Sequence, residues 1–338
     1  MLSYKTRGIQ LVALTSASLL AVVAACSDTP ARQCRIGADC ASGLCASDGT
    51  CGTAPVADSG SEGGGSTDDA MTTTDGGGDE TSTDAAMSGC TPNKDGTITR
   101  DEVPIAAGLH ATYKIGANED LPAGYVTGVV GAGGKRTWDF SAALTSDVGV
   151  LVETQSLKGK YYETTFPNAT YATKLSNSGT SDLLGVFETS PGALLLRGVV
   201  SPAMSGSTGS NGTQLTYTPG VSILKFPLVM DATWSTDAAA TGTAAGVPLI
   251  GVLKTQEKYD SKVDAAGTLK TPLGTFDVLR VQVLLTRTVG TAPFTTVTTV
   301  RTFAFVTECY GTIATITSSD NETNAEFTHA VEIRRISP

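Results

Sequence analysis

The chain has 338 residues, a length that suits one large domain or two modest ones. Its net charge of −10 is concentrated in residues 53–88, which carry eight acidic and no basic side chains, whereas residues 89–338 carry 19 basic and 22 acidic side chains. A nearly neutral domain without a basic patch excludes the electrostatic footprint of a nucleic-acid-binding protein. It also gives no peripheral attraction to anionic lipid.

Residues 1–25 are organised as a secretory signal peptide. Lys5 and Arg7 supply positive charge, and residues 11–25 form an apolar run that is too short and too often interrupted by Thr and Ser for a transmembrane helix. The run ends in Val23-Ala24-Ala25-Cys26, which resembles the lipobox of bacterial lipoproteins. The resemblance implies that cleavage frees Cys26 and that acyl chains attach to its thiol and its amino group.

Cys26 is therefore predicted to be lipidated and to hold the protein to a membrane through acyl chains such as palmitate. The alternative is an ordinary secretory signal in which this cysteine falls at the cleavage site by coincidence. Ser27 follows Cys26, and by resemblance to the sorting rules of enteric lipoproteins it favours the outer membrane of the cell envelope. The sequence leaves open whether the protein faces the periplasm or the cell surface.

Six cysteines remain if Cys26 is acylated, an even number that suits disulfides in an oxidising compartment. A thiolate metal site is disfavoured, because no CxxC spacing occurs and the chain has only two histidines. Four of the six lie in residues 26–52, with a spacing that resembles a Cys-rich segment behind the lipobox of myxobacterial-type lipoproteins. We expect a small disulfide knot there, with three pairings open, formed by Cys34, Cys40, Cys45 and Cys51.

Residues 53–88 consist mainly of Gly, Ser, Thr and Asp, and they contain no aromatic residue, Leu or Ile. Such a segment has little to bury and repels itself, so we expect a disordered acidic linker. Flexible-chain scaling gives it a span of roughly 30–36 Å. The linker is expected to hold the following domain away from the membrane.

Residues 91–102 resemble the calcium loop of EF-hands and dockerins. Thr91 stands where that family has Asp, so few carboxylates remain, and Pro104 blocks an exiting helix. The resemblance implies at best weak Ca²⁺ binding, with a Kd of about 10⁻⁴ to 10⁻³ M, and the alternative is an Asx-rich turn that starts the domain. The candidate ligands are Asn93, Asp95, Thr97, Thr99 and Glu102.

From Cys90 onward, period-two apolar runs bounded by Gly, Pro, Asn and Asp predict β-strands, and helical periodicity is scarce. The predicted strands are Leu109–Ile115, Tyr125–Val130, Val148–Gln155, Tyr161–Phe166, Leu183–Glu188, Ala193–Val200, Gln214–Thr218, Val221–Val229, Leu249–Val263, Phe276–Val289, Thr296–Val306, Thr312–Thr317 and Glu326–Ile336.

The alternation is clearest between Thr268 and Val289, where it predicts an antiparallel strand buried on one face only. Leu279, Val281 and Val283 fall on the apolar face, and Arg280 and Gln282 fall on the other. Turn residues at 264–267 and 272–274 are predicted to interrupt this region.

The stretch Lys225–Val289 contains GTLKTPLGTFDVLRV and resembles secreted bacterial proteins of unknown function that have long antiparallel strands. Those proteins resemble, in outline, the curved half-barrels of periplasmic lipoprotein carriers. The resemblance implies an all-β domain over residues 89–338, built as a curved antiparallel sheet or half-barrel, with a β-sandwich as the alternative. It brings no catalytic residues.

Cys90 and Cys309 are the two cysteines outside the knot, at the first residue of the β domain and at the end of a predicted strand. In an oxidising compartment a disulfide between them is the expected arrangement, and it would pin the entry segment to the C-terminal part of the sheet. The alternative is that Cys90 joins the knot and leaves an unpaired thiol elsewhere.

No residue is nominated as catalytic. Residues 131–137 lack the spacing of a phosphate loop, and Ser207 lacks the preceding Gly of a nucleophile elbow. His110 and His329 lie on predicted strands among small or apolar neighbours, which favours structural roles.

We therefore expect a non-enzymatic envelope protein with a binding or structural role. Its partner would be an envelope protein, a polysaccharide or an apolar ligand, with no cofactor beyond weakly bound Ca²⁺. Two alternatives stay open: a carrier that holds an apolar ligand in a half-barrel cavity, and a hydrolase with an acidic site that no local pattern marks.

Overall fold

The fold is known from a computed structural model that describes residues 90–175, 182–203, 212–244, 253–291 and 294–338. The signal peptide, the knot and the acidic linker predicted for residues 1–88 lie outside these ranges. Over the residues described, no helix has the length and apolar character needed to cross a bilayer.

Within these ranges the chain forms fourteen strands. They are β1 (His110–Asp120), β2 (Val129–Val130), β3 (Arg136–Asp139), β4 (Val148–Glu153), β5 (Tyr171–Lys174), β6 (Leu184–Ser190), β7 (Ala193–Val200), β8 (Gln214–Lys225), β9 (Thr233–Thr243), β10 (Leu253–Lys270), β11 (Thr275–Thr291), β12 (Phe294–Thr307), β13 (Gly311–Ser318) and β14 (His329–Ile336). Short 3₁₀ turns cover Arg100–Glu102, Ala132–Gly134 and Glu163–Thr165.

The strands form one sheet whose two ends nearly meet. The order is β4-β1-β14-β13-β12-β11-β10-β9-β8-β7-β6-β5, and β3 adds to β10 in parallel and to β2 in antiparallel orientation. Gln155 follows β4 and exchanges two backbone hydrogen bonds of 2.8 and 2.9 Å with Ala172 of β5, which joins the ends of the path. The prediction of an all-β fold is confirmed, and the nearly closed antiparallel sheet is a barrel-like half-barrel.

One face of the sheet carries the first core cluster, which includes buried residues from every strand between β5 and β12. A single cluster shared by eight neighbouring strands requires the sheet to curl around it, so we call this the concave face. Val221, Val263 and Val281 are fully buried there. Residues 98–105, which precede β1, add Ile98, Val103 and others to the same cluster.

Two segments cover the opposite, convex face. Residues 121–140 bring Trp138 and Phe140 against Phe305 of β12 and the neighbouring strands, and they form the second core cluster. Residues 157–166 pack against β5–β7 in a third cluster. These segments place large aromatic side chains over parts of the sheet that would otherwise face water.

The first part of β11 is buried on both faces, which corrects the prediction of one-sided burial. Leu279 and Val281 belong to the concave cluster, whereas Val278 belongs to the convex one and Arg280 is 6 % exposed. Successive side chains of a strand point to opposite faces. The cover over the convex face comes from residues 121–140, and the local alternation carries no trace of that distant segment.

The turn predicted at residues 264–267 is also wrong, because β10 runs through it. The pairing with β11 skips Asp264, which forms a bulge, and continues at Ala265. Position 267 must be Gly because β3 approaches it closely, and a Cβ there would collide with the backbone of Arg136. The second predicted turn is confirmed: Thr271 N–H donates to the carbonyl of Gly274 at 2.7 Å between β10 and β11.

Other strand predictions differ in their limits. Two predicted strands merge into β8, and Tyr125–Val130 contributes only β2. The segment predicted as the strand Tyr161–Phe166 contains a 3₁₀ turn instead, and its Tyr162 is fully buried in the third cluster. Neither β5 nor β9 was predicted, because β5 is only four residues long and the apolar positions of β9 are mostly Ala and Thr.

Candidate binding site

On the concave face, the side chains of β11 and β12 become less buried with distance from Val281. Val281 is fully buried, but the next residues on the same face are only half-buried, and most of them are apolar or Thr. Leu285 lies directly opposite Val300 in the antiparallel register, and Val283 lies opposite Thr302. We call this surface the concave strip; its residues are Val283, Leu285, Thr298, Val300 and Thr302.

A polar cluster borders the strip. Glu257 of β10 is 3 % exposed and lies directly opposite Arg287 of β11. Arg287 Nε donates to Glu257 Oε1 at 2.7 Å, and the hydroxyl of Tyr259 donates to Glu257 Oε2 at 2.6 Å. Tyr217 of β8 lies close enough for the charge of Glu257 to affect its pKa. We call these four residues the polar cluster.

The pKa shifts in this cluster keep both phenols protonated. Burial is the main cause that raises the pKa of Tyr217 and of Tyr259, and the charge of Glu257 raises both further. Burial is the largest single influence on the pKa of Arg287 and lowers it, but the charge and hydrogen bond of Glu257, together with the effects of Tyr259 and Tyr217, make the net shift upward. Glu257 therefore has hydrogen-bond donors at both oxygens.

Arg287 has hydrogen-bonding capacity left over. Its side chain is 43 % exposed, and Glu257 is its one acceptor among the described residues, bound through Nε. A guanidinium carries five N–H donors in a planar fork. The terminal nitrogens Nη1 and Nη2 are thus available beside the concave strip.

Sequence reasoning missed this cluster, although a signal for it exists. Glu257, Tyr259 and Val263 share the odd positions of β10, and Arg287 shares the odd positions of β11 with Leu285 and Val283. A charged residue in phase with the apolar face marks a buried or functional polar group. The pairing of Glu257 with Arg287 also needs the hairpin register, which the bulge at Asp264 shifts.

A groove of about 490 Å³ lies on β9–β12 and is a second candidate site. Several of its residues alternate with those of the strip and lie on the convex face, and its charged groups already have partners. Asp260 accepts from Ser235 at 2.8 Å and pairs with Lys258, and Lys262 pairs with Asp231. The groove is lined by Thr233, Trp234, Ser235, Asp260, Ser261, Lys262, Gln282, Leu284 and Arg301.

The candidate calcium loop forms a closed turn. Asn93 Nδ2 donates to Glu102 Oε1 at 2.7 Å, and the N–H and hydroxyl of Thr99 both donate to Glu102 Oε2 at 2.8 Å. Asp95 Oδ1 accepts from the N–H of Thr97 at 2.7 Å. The loop therefore brings Glu102 to Asn93 and Thr99, as an Asx-rich turn followed by a capping box.

Among the described residues, no group of three or more His, Cys, Asp or Glu side chains is arranged to hold a metal ion.

Cys90 and Cys309 form a disulfide, with Cα atoms 5.6 Å apart, which is the pairing expected from the sequence. The bond fixes residues 90–105, here called the strap. The N–H of Cys309 donates to the carbonyl of Glu102 at 2.7 Å, and Ile98 exchanges backbone hydrogen bonds of 2.9 and 2.8 Å with Leu228. Cys26 and the four cysteines of the predicted knot lie outside the described residues.

The two histidines lie far apart. His110 begins β1, whereas His329 begins β14 and pairs with Asp120 at the end of β1, 2.9 Å from Nδ1 to Oδ1. The ten residue steps of β1 that separate these positions span roughly 33 Å. The two imidazoles therefore cannot serve one site.

Comparison with family models, with curated proteins and with solved structures found no match.

Proposed function

We propose that this protein is a lipid-anchored component of the bacterial outer membrane whose β domain binds a ligand on the concave strip without catalysing a reaction. The anchor is supported by the lipobox resemblance at Val23-Ala24-Ala25-Cys26 and by Ser27. Replacing Cys26 with Ser should then release the protein from the membrane fraction, because acylation supplies the attachment. Sedimentation of the variant with membranes at the wild-type level would contradict the anchor.

The observation that carries the binding role is the change in packing along one face. Val263 and Val281 are fully buried, whereas Leu285 and Val300 are half-buried on the same side. Partly uncovered apolar residues on the inside of a curved sheet, beside a few polar groups, are what small-molecule sites commonly offer. This arrangement favours a carrier of an apolar ligand over a purely structural role in the envelope.

The test uses an environment-sensitive apolar fluorophore and two substitutions on the same strand. Val300→Thr places a hydroxyl in the concave strip with little change in volume, whereas Val297→Thr makes the same change at a residue that is 54 % exposed and out of phase with the strip. We expect Val300→Thr to weaken probe binding roughly fivefold or more, because an unpaired hydroxyl costs about 1–3 kcal/mol. Val297→Thr should leave binding unchanged.

The opposite result would overturn the proposed site. If Val297→Thr weakens binding and Val300→Thr does not, the ligand occupies the convex side. If the wild-type protein binds no apolar probe, the carrier role is wrong. Melting temperatures of both variants must stay near that of the wild type for the comparison to hold.

A further inference from the structure

The charged donors of the polar cluster that have no acceptor among the described residues are the terminal nitrogens of Arg287. Both oxygens of Glu257 are occupied, one by Arg287 and one by Tyr259, at 2.7 and 2.6 Å. Arg287 donates to Glu257 through Nε alone, and its side chain is 43 % exposed. A ligand that meets the cluster must therefore supply acceptors to Arg287.

The geometry of these donors favours a particular acceptor. The terminal nitrogens of a guanidinium form a planar fork that matches the two oxygens of a carboxylate or a phosphate. A single carbonyl or hydroxyl oxygen cannot accept both parallel hydrogen bonds in this way, and it carries no negative charge. The acceptor that fits Arg287 best is thus an oxyanion.

Apolar surface continues from this fork along the strip. On β11, Val283 and Leu285 precede Arg287 on the same face, and Val300 of β12 lies beside Leu285. The Cα of Val283 lies roughly 13 Å from that of Arg287 at the rise of a β-strand. A ligand with one charged end and an extended apolar part would contact both features together.

We propose that the ligand of the concave strip is an amphiphile with a carboxylate or phosphate head, which pairs with the terminal nitrogens of Arg287, and an apolar tail that lies along the strip. The inference rests on the proposed binding role and adds the chemical class of the ligand. The head exchanges its hydration for two charge-assisted hydrogen bonds, while Glu257 holds the guanidinium from its other side.

The test compares dodecanoate, dodecyl phosphate and dodecanol, which each have a chain of twelve carbon atoms. Each is titrated into the full chain carrying Cys26→Ser, so that an acyl group on the protein cannot compete. The wild-type cluster should bind both anions roughly tenfold or more tightly than the alcohol, as expected for hydrogen bonds to charged groups. Inorganic phosphate should compete poorly, because it has no tail.

The decisive variant is the double replacement Arg287→Gln with Glu257→Gln, which removes both charges together and leaves no buried ion unpaired. It should bind the three amphiphiles with equal affinity. Arg287→Lys keeps the charge but loses the fork, and it should show a smaller preference for the anions than the wild type. Arg287→Lys therefore tests the role of the guanidinium if the double variant does not fold.

A matched control exists at Glu188 and Arg197, an acid–arginine pair with a separation of 3.4 Å and side chains 22 % and 36 % exposed. Phe187, which precedes Glu188 in β6, belongs to the concave cluster, so Glu188 points to the convex face and Arg197 pairs with it there. Replacing both residues with Gln should leave the preference for anions intact.

The outcomes separate the inference from the proposed function. Equal affinity of the wild type for dodecanol and the anions would overturn the oxyanion head while leaving apolar binding in place. A preference that survives in the double variant, or that is lost in the control, would overturn the role of Arg287. Inorganic phosphate that binds as tightly as dodecyl phosphate would point to a free anion, and failure of all three amphiphiles to bind would overturn the carrier role itself.

Discussion

Two arginine–carboxylate pairs on β11 show how one chemical group takes two roles. Arg280 uses all three nitrogens: Nε and Nη2 donate to Asp264 at 2.9 and 2.8 Å, and Nη1 donates to the carbonyl of Val126 at 2.6 Å. Its guanidinium lies 4.5 Å from the ring centre of Phe303, and its side chain is 7 % exposed.

Arg287, in contrast, is 43 % exposed and donates through Nε alone. Arg280 lies under residues 121–140 and has a partner at each of its three nitrogens, two at Asp264 and one at Val126, so we call it saturated. Arg287 lies on the concave face beyond the limit of core packing. A guanidinium with a partner at every nitrogen stabilises a covering segment on the sheet. A guanidinium whose terminal nitrogens have no acceptor and lie beside apolar surface can bind a ligand.

The largest effect is expected at the saturated pair. Arg280→Met leaves the carboxylate of Asp264, 15 % exposed, without its partner. It also removes the hydrogen bond that holds Val126. We expect a loss of about 3–5 kcal/mol in the free energy of unfolding, measured by urea denaturation. Arg197→Met, which breaks a more exposed pair, should cost at most about 1 kcal/mol; equal losses would mean that saturation of Arg280 does not matter.

The next effect concerns the strap, which covers the packed end of the concave face. Replacing Cys90 and Cys309 with Ala should lower the free energy of unfolding by about 2–4 kcal/mol, because the bond closes a long loop with a sequence separation of 219. A thiol reductant should bring the β domain of the wild type to the stability of the variant and leave the β domain of the variant unaffected, because the other predicted disulfides lie in residues 26–52. A variant as stable as the oxidised wild type would show that the strap is held by its other contacts.

On the covered side, stability should also fall at high pH. Burial raises the pKa of Tyr125 to about 12, and its ring stacks on Phe140. A raised pKa means that the folded state holds the phenolic proton more tightly than the unfolded chain, whose Tyr titrates near pH 10. The stabilisation is therefore complete below pH 10 and is lost as pH rises towards 12. The raised pKa values of Tyr217 and Tyr259 contribute to the same fall. Tyr125→Phe should therefore make the stability profile less steep in this window without abolishing the fall, and an unchanged slope would mean that Tyr125 does not contribute to it.

The smallest effect on stability is expected at the unsaturated pair. Replacing Arg287 and Glu257 together with Gln removes two opposite charges and keeps the possibility of a hydrogen bond. We expect a change of at most about 1 kcal/mol in the free energy of unfolding, although ligand binding should change strongly. A loss as large as that of Arg280→Met would mean that this pair is structural after all.

The sequence predicted the fold class well, because alternation and turn chemistry are local properties. β7 has the predicted limits, and the strands around β4, β11, β12 and β13 differ from prediction by only a few residues. The disulfide between Cys90 and Cys309 followed from counting cysteines. What the sequence could not supply was the cover of the convex face, since Trp138 and Phe140 reach the sheet from a segment with little strand pattern of its own.

The candidate site was missed for a related reason. Glu257 and Arg287 are separated by the long β10–β11 hairpin, and their pairing depends on a register that the bulge at Asp264 shifts by one residue. A one-residue slip moves every side chain to the other face. The in-phase charges were visible in the sequence, but their partners were not.

The most direct test of the binding account is methyl NMR of the full chain carrying Cys26→Ser, titrated with dodecanoate. Leu285 and Val300 lie on the concave strip, whereas Leu284 lines the groove on β9–β12 from the convex face and Val297 is exposed and out of phase with the strip. The account predicts that the methyl resonances of Leu285 and Val300 shift with the ligand and that those of Leu284 and Val297 stay in place. Shifts confined to Leu284 and Val297 would contradict it, because the ligand would then occupy the opposite face of the sheet.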